Sequence, residues 1–135
     1  MRIISGFAGG RKLTPPPLKS NTIRPTADRA REAVFNILGS SVKGQVLDLF
    51  AGTGALGLEA LSRGATGLVL VDLHRESLKL LRQNVEIVTG SPSPPNVTVL
   101  RHDLKKGLPN KLLTGDNSTG FDLIFLDPPY SMGLS

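Results

Sequence analysis

The tetrad Asp127-Pro128-Pro129-Tyr130 carries the most specific chemistry in this sequence. Consecutive prolines fix the backbone where a strand ends, so carbonyl oxygens and the Asp127 carboxylate can face a planar amine. The ring of Tyr130 offers a surface on which a nucleic acid base can stack. A stiff loop that only ends the strand is the alternative interpretation. Because all four residue types agree with their place after an apolar strand, we favour a site for an amino group on a base.

A glycine-rich turn supplies a second candidate site. Residues 52–57, Gly-Thr-Gly-Ala-Leu-Gly, match the pattern G-x-G-x-x-G between a predicted strand and a predicted helix. Such glycines let the backbone turn tightly and approach a nucleotide-like ligand, although similar turns occur without one. Asp72 strengthens the interpretation, because it stands twenty residues after Gly52 at the end of the next predicted strand. A carboxylate there can accept hydrogen bonds from both hydroxyls of a ribose, or it can cap the following helix.

Two further aspartates bear on the kind of ligand. Asp48 stands just before the glycine-rich turn, where its charge would repel a pyrophosphate and attract a cationic amino group. A dinucleotide such as NAD is therefore disfavoured. Asp103 follows the third predicted strand and could contact an adenine amine in the same cleft. A cap of the helical turn that begins at Leu104 is an equally good interpretation.

The positive charge lies near the N-terminus. The chain has a net charge of +5, and residues 1–43 carry eight Lys and Arg against only two acidic residues. Clustered cations favour a polyanion such as RNA, because binding releases the counterions of closely spaced phosphates. A solvated basic surface is the alternative. The candidate RNA-binding residues are Arg11, Lys12, Arg24, Arg29 and Arg31, of which Arg29 and Arg31 are expected to point outward from a helix.

Alternating strands and helices must position these residues. The predicted strands cover residues 45–50, 68–72, 96–100 and 121–127, and the predicted helices cover residues 26–38, 54–63 and 75–88. This order predicts an α/β fold with a parallel sheet in the strand order 3-2-1-4. The fourth strand is the most apolar, which predicts burial on both faces. A small hairpin is expected over residues 2–14, and Thr26 is a candidate cap of the first helix.

Composition excludes several classes of protein. Hydrophobic residues make up 39% of the 135 residues, which is typical of a globular chain. No apolar stretch approaches the roughly 18 residues that a membrane span requires, and the first residues do not resemble a secretory signal. The absence of cysteine excludes disulfides, thiolate metal sites and a cysteine nucleophile. We therefore expect a cytoplasmic protein.

The motifs together resemble a known family. Residues 46–60, Val71-Asp72 and the tetrad resemble class I methyltransferases that use S-adenosylmethionine (SAM) on exocyclic amino nitrogens. Three N-terminal segments narrow the resemblance to the bacterial RsmD family: Met-Arg-Ile-Ile-Ser-Gly from residue 1, Gly-Arg-Lys-Leu from residue 10, and Arg-Pro-Thr-Ala-Asp-Arg-Ala-Arg-Glu-Ala-Val-Phe-Asn-Ile-Leu from residue 24. Members of that family are 16S rRNA (guanine-N2)-methyltransferases. The tetrad alone is shared with adenine-N6 and cytosine-N4 enzymes, so it specifies the reaction better than the substrate.

The resemblance implies a role for each candidate residue. The implied cofactor-binding residues are Asp48, Phe50, Gly52, Gly54, Asp72 and Asp103. Among them, Asp48, Gly52 and Gly54 would line the methionine end of SAM, Asp72 would take the ribose hydroxyls, and Asp103 would take the adenine. The implied catalytic residues are Asp127, Pro128, Pro129 and Tyr130, which would hold a flipped guanine. No metal is implied, and the implied partner is 16S rRNA or an assembly intermediate of the small ribosomal subunit.

The resemblance also implies a Rossmann-like class I methyltransferase sheet with a β-hairpin and helix extension at its N-terminus. Residues 1–43 would form a basic extension that faces RNA, and residues 44–135 would form the SAM-binding core. Family members carry further strands after the tetrad, so we expect the C-terminal strands to be missing and the strand before Asp127 to lie at an edge. A DNA adenine-N6 or cytosine-N4 methyltransferase, and an inactive module that binds SAM or RNA, are alternatives.

Overall fold

The computed structural model describes residues 1–16, 28–107 and 120–127. In chain order the elements are α1 (Asp28–Leu38), β1 (Gly44–Leu49), α2 (Ala55–Ser62), β2 (Ala65–Asp72), α3 (Arg75–Thr89), β3 (Val97–Arg101) and β4 (Leu123–Leu126). Short 3₁₀ turns at Gly39–Ser41 and Leu104–Lys106 follow α1 and β3. The predicted alternation of strands and helices is confirmed. The predicted cap Thr26 lies outside the described residues.

The four strands form one parallel sheet in the order β3-β2-β1-β4. This is the predicted strand order. In the middle of the sheet, Leu47 of β1 pairs with Val69 of β2 on one side and with Ile124 of β4 on the other. Because all strands run the same way, their carboxyl ends meet at one edge of the sheet. The residues that follow the four strands are therefore brought to the same edge.

Apolar side chains on the two faces of the sheet form two clusters. The larger cluster holds one set of strand residues together with side chains from the helices and the N-terminus, and it includes Val46, Leu68, Leu70, Leu58, Leu81, Ile3, Leu13 and Phe35. The smaller cluster is formed by Leu47, Leu49, Val69 and Val71. Successive residues of a strand point to opposite faces, so β1 and β2 contribute to both clusters. No helix within the described residues combines the length and apolarity that crossing a membrane requires.

The N-terminal residues fold as the predicted hairpin. Arg2 and Lys12 form an antiparallel bridge, and the Ile3 amide donates to the Arg11 carbonyl at 2.9 Å. The hairpin is attached to the end of α2, because the side-chain oxygen of Ser62 accepts from the Ala8 amide at 2.9 Å. Ile3 is completely buried. The hairpin thus shares the main core of the sheet.

The prediction that β4 is buried on both faces is wrong. Phe125 is buried and its ring lies 5.7 Å from that of Phe35 in α1, whereas Ile124 is 55% exposed and Leu126 is 65% exposed. β4 stands at one end of the strand order and pairs with β1. In the described part of the chain, α1 covers the Phe125 face of β4 and the opposite face is open. This confirms that β4 is an edge strand of the described sheet.

Candidate functional site

The glycine loop, residues 50–54, follows β1 at the carboxyl edge of the sheet. Phe50 adopts a φ of 59°, a left-handed conformation that is uncommon for a residue other than glycine. The loop is held by two backbone hydrogen bonds, from the Ala51 amide to the Val71 carbonyl at 2.9 Å and from the Gly54 amide to the Ala51 carbonyl at 2.8 Å. Strained backbone that neighbouring bonds hold in place is common at ligand sites. The predicted cofactor-binding residues Phe50, Gly52 and Gly54 all belong to this loop.

The last glycine of the motif is required by packing. A Cβ atom on Gly57 would lie 2.8 Å from side-chain carbons of both Leu68 and Leu70. A larger residue at position 57 would therefore force these leucine side chains to shift, so glycine favours the close packing of α2 on β2. Gly54 meets a similar restriction, since its Cβ would lie 2.8 Å from a methyl carbon of Leu81 in α3. The helices on this face of the sheet thus set the position of the loop.

Asp72 fastens the glycine loop to the end of β2. One carboxylate oxygen accepts from the Gly52 amide at 2.9 Å, and the other accepts from the His74 amide at 3.1 Å. Asp72 therefore stabilises the turn that leads into α3, but the N-cap of the helix is His74, so Asp72 is not itself the cap. Each carboxylate oxygen has a second lone pair, so the same side chain can still accept from a ribose hydroxyl. The ribose contact stays a prediction.

Asp48 lies beneath the loop and is 1% exposed. One of its oxygens accepts from the Gly57 amide at 3.1 Å. Burial raises the pKa of Asp48 to about 7; the Gly57 hydrogen bond opposes this shift, and the negative charges of Asp127 and Asp72 add to it. Three carboxylates therefore act on one another at this edge of the sheet. Direct contact of Asp48 with a ligand stays a prediction, but its negative charge favours a cation nearby.

The remaining acidic residues follow β3 and β4. Asp103 caps the 3₁₀ turn Leu104–Lys106, because its side chain accepts from the Lys105 amide at 3.0 Å. The capping interpretation is confirmed, and the adenine contact stays a prediction. Asp127 follows β4 and is exposed. Pro128, Pro129 and Tyr130 lie outside the described residues.

The prediction that Arg31 points outward is wrong. Its side chain is completely buried, with Nε 3.4 Å from a carboxylate oxygen of Glu59 and Nη2 3.0 Å from one of Asp28. Nη2 also donates to the Arg2 carbonyl. Arg31 and Phe35 stand four residues apart and share the buried face of α1, whereas Arg29 is exposed. A buried guanidinium cannot contact RNA, so Arg31 is a structural residue.

The other basic candidates differ in their surroundings. Arg11 is exposed, yet its guanidinium donates to the Ile87 carbonyl at 3.1 Å and to the Val88 carbonyl at 2.7 Å. These carbonyls belong to the last turn of α3, where helices leave such acceptors without partners. Lys12 is exposed and makes the bridge of the hairpin. Arg24 lies outside the described residues.

Two buried polar residues were missed by the sequence interpretation. Glu59 of α2 accepts from the Ile4 amide at 2.9 Å and from the Arg63 guanidinium at 2.8 Å. Asn84 of α3 is also completely buried. Both stand on apolar helix faces, since Asn84 is followed by Val85 and Val88 in the same buried row. A polar residue in phase with an apolar stripe was the signal that could have found them.

Leu73 was missed as well. It follows Asp72 directly and is 38% exposed at the edge of the sheet. An apolar side chain beside a carboxylate is suited to one face of a nucleoside.

Among the residues the structure describes, no three His, Cys, Asp or Glu side chains are grouped closely enough to hold a metal ion.

Known proteins are similar to this chain in sequence. A family model described as "Conserved hypothetical protein 95" matches residues 1–135. Ribosomal RNA small subunit methyltransferase D of Escherichia coli (strain K12) is 40% identical over 136 residues, which is 99% of this chain and 62% of the relative. The protein of the same name from Haemophilus influenzae is 36% identical over 136 residues, which is 100% of this chain and 66% of the relative.

Two solved structures have the same fold. The structure of a hypothetical protein from Thermus thermophilus is 35% identical, with a TM-score of 0.80 over 100% of this chain and 72% of that one. A structure from Escherichia coli described as the methyltransferase yhhF is 36% identical, with a TM-score of 0.73 over 99% of this chain and 66% of that one. The described sheet is therefore part of a Rossmann-like methyltransferase sheet. The chain spans 62% and 66% of the length of the two curated relatives above.

Proposed function

The chain belongs to the family described as Conserved hypothetical protein 95, the RsmD family, and from this premise we propose that it methylates the exocyclic N2 amine of a guanine in 16S ribosomal RNA. SAM is the proposed methyl donor. The relatives named as small subunit rRNA methyltransferases support this substrate. The reaction would take place in the cytoplasm, on 16S rRNA or on an assembly intermediate of the small subunit.

The carboxylates at the edge of the sheet are the observation that carries the proposal. The pKa of Asp48 is raised to about 7 by burial and by the charges of Asp127 and Asp72. A site that crowds negative charge in this way disfavours the pyrophosphate of a dinucleotide and favours a ligand with cationic groups. SAM carries both an ammonium group and a sulfonium group. The residues of this edge therefore fit SAM.

Each part of SAM has a suitable neighbour. The half-buried carboxylate of Asp72 would accept from the ribose hydroxyls while it keeps its bond to the Gly52 amide. Leu73 offers an apolar surface for the adenine, and Asp103 offers an acceptor for the adenine amine. The backbone of the glycine loop would lie against the methionine end. When bound, SAM supplies an electrophilic methyl group on its sulfonium.

Asp127 is the residue we assign to the amine. The lone pair of a guanine amine is delocalised into the ring, so the amine is a weak nucleophile. A carboxylate that accepts from the N–H stabilises the positive charge that develops as the nitrogen attacks. Asp127 stands at the end of β4, beside the strand that leads into the glycine loop. Pro128, Pro129 and Tyr130 would complete the pocket for a base that has left its stack.

The N-terminal extension, residues 1–43, is the proposed RNA-facing part. Lys12 and Arg29 are exposed on the hairpin and on α1, and Arg11 is exposed at the end of α3. Arg24 precedes α1 and adds to the same cluster in the sequence. Exposed cations of this kind contact phosphates and orient the RNA rather than select its sequence. Arg31 is excluded from this set because it is buried.

Transfer of a labelled methyl group tests the proposed function. The chain is incubated with radiolabelled SAM and with 16S rRNA, small ribosomal subunits or double-stranded DNA, and the modified nucleosides are then identified. We expect N2-methylguanosine in the ribosomal RNA samples. Methyladenine or methylcytosine in DNA would instead identify a DNA methyltransferase. Binding of SAM without transfer to any of these substrates would identify a binding module.

A further inference from the structure

The buried side chain of Asn84 joins the N-terminal arm, residues 1–16, to the glycine loop. Its amide nitrogen donates to the Thr14 carbonyl at 3.1 Å and to the Thr53 carbonyl at 2.8 Å. Its amide oxygen accepts from the Thr14 amide at 2.7 Å. Both donor hydrogens and the acceptor are thus used, and Asn84 is 0% exposed. One α3 side chain therefore connects two segments that are far apart in the sequence.

Thr53 is the residue of the glycine loop to which Asn84 bonds. It is 4% exposed, and its hydroxyl accepts from the Ala55 amide at 3.3 Å, where α2 begins. The next residue, Gly54, lies against Leu81, which stands one turn before Asn84 on the same helix. Leu81 and Asn84 together hold this side of the loop against α3. A change in the Asn84 side chain would therefore be transmitted to the loop backbone.

Thr14 is the residue of the arm to which Asn84 bonds. It follows the exposed Arg11 and Lys12, which we assign to RNA, and it precedes Pro15. Both backbone polar groups of Thr14 bond to the same amide. Movement of the arm would leave buried polar groups of Asn84 without partners, which is energetically unfavourable. Arm and loop are therefore expected to change position together.

We propose that Asn84 is a positioning residue that couples RNA docking on the arm to binding of the methyl donor at the glycine loop. This inference rests on the proposed function and extends it to the relation between the two substrates. Coupling between sites is reciprocal, so each ligand raises the affinity of the other by the same factor. RNA would bind more tightly to the chain that already holds its methyl donor.

Three variants separate the coupling from general packing. Asn84→Asp keeps an acceptor for the Thr14 amide and removes both donors. Thr14→Pro removes the Thr14 amide hydrogen and leaves the bond from Asn84 to Thr53 available. Gln83→Ala is the matched control, because Gln83 is the exposed neighbour of Asn84 on α3. If circular dichroism shows that Asn84→Asp does not fold, Thr14→Pro decides the question.

The first measurement is the coupling factor. The affinity for S-adenosylhomocysteine, which cannot transfer a methyl group, is measured by calorimetry with and without a saturating 16S rRNA transcript. We expect RNA to raise this affinity by about fivefold or more in the parent and in Gln83→Ala. The factor should fall to about one in Asn84→Asp and Thr14→Pro. A residue with only a structural role would lower stability and leave this ratio unchanged.

The second measurement needs no ligand. Hydrogen exchange of the Gly52, Gly54 and Ala55 amides should become faster in Thr14→Pro and stay at the parent rate in Gln83→Ala. Independent binding of the two ligands in the parent, or unchanged loop exchange in Thr14→Pro, would overturn the proposed coupling. If the parent binds neither ligand while loop exchange responds to Thr14→Pro, the proposed function fails and the physical link from arm to loop is supported.

Discussion

The guanidinium of Arg31 lies 3.4 Å from the carboxylate of Glu59, and both side chains are completely buried. Glu59 also accepts from the Ile4 and Ser5 amides and from Arg63. One carboxylate on α2 thus holds the hairpin and α1 against the core. The described parts of the basic extension are joined to the sheet by this network as well as by apolar contacts, which fixes the positions of Lys12 and Arg29.

Replacing Glu59 should destabilise the fold strongly. Glu59→Ala removes the fully buried carboxylate beside Arg31, which keeps its contact with the partly exposed Asp28, and it removes an acceptor from two backbone amides. Loss of one member of a buried ion pair costs about 3 to 5 kcal/mol. The free energy of unfolding, measured in urea, checks this. Glu32→Ala is the matched control, since Glu32 is exposed on α1, and it should change stability by about 0.5 kcal/mol at most.

Substitution of Arg29 should affect RNA binding, whereas substitution of Arg31 should affect the stability of the fold. Arg29→Ala removes an exposed cation, so RNA affinity should fall. The dependence of this affinity on salt should also become less steep, because about one counterion fewer is released for each phosphate that the variant no longer neutralises. Arg31→Ala should lower stability because it removes a buried cation from beside the Glu59 carboxylate. Filter binding over a range of salt concentrations, together with urea unfolding, distinguishes the two. A normal salt slope in Arg29→Ala would show that RNA docks elsewhere.

The titration of Asp48 should appear in the pH dependence of stability. Its pKa is 3.8 in the reference state and about 7 in the folded chain, so the folded state holds the proton more tightly. The protonated Asp48 side chain therefore contributes to the free energy of unfolding below pH 4, and this contribution is lost as the pH rises through about 7. Asp48→Asn should remove this loss and make the chain more stable than the parent at pH 8. A parallel pH profile in the variant would contradict the assignment.

The ionisation of Asp48 should also affect how tightly the methyl donor binds. A cation bound near Asp48 favours the ionised carboxylate, so SAM affinity should rise as the pH increases through about 7. In Asp48→Asn this rise should be absent or much smaller. Calorimetry at several pH values, in buffers of different ionisation enthalpy, measures both the affinity and the proton released.

Asp72→Ala should weaken SAM binding far more than RNA binding. The substitution removes the proposed ribose acceptor and the bond that fastens the Gly52 amide. Hydrogen bonds to a charged group contribute about 1.5 to 3 kcal/mol each, and water recovers part of this, so a loss of about 10- to 100-fold in affinity is expected. Lys79→Ala, an exposed change on α3, serves as the control. Equal SAM affinity in parent and Asp72→Ala would exclude the ribose assignment.

Asp127→Ala should reduce the rate of methyl transfer with little effect on SAM affinity. The proposed acceptor acts mainly as charge develops on the amine, so the single-turnover rate at saturating RNA should fall by ~100-fold or more. Glu86→Ala removes an exposed carboxylate from α3 and should retain the parent rate. Full activity of Asp127→Ala would leave the backbone carbonyls beside Pro128 as the remaining candidates for the acceptor.

The sequence by itself determined the architecture of the described part. Apolar runs and helical periodicity predicted each strand and helix, and the doubly wound arrangement of such sheets then predicted the order β3-β2-β1-β4. These signals are local or topological, so they do not depend on which distant side chains meet. The glycine loop and Asp72 were predicted for the same reason, because their spacing belongs to one strand-helix-strand unit.

Only the tertiary structure decided the environment of the charged residues. Arg31 reads as one more cation of a basic segment, yet it is buried because Glu59, twenty-eight residues later, packs opposite it. The pKa of Asp48 is raised mainly by its burial and further by Asp127 and Asp72, which two other strands bring to the same edge of the sheet. Burial and charge interactions are set by distances in space, and a pattern along the chain does not contain those distances.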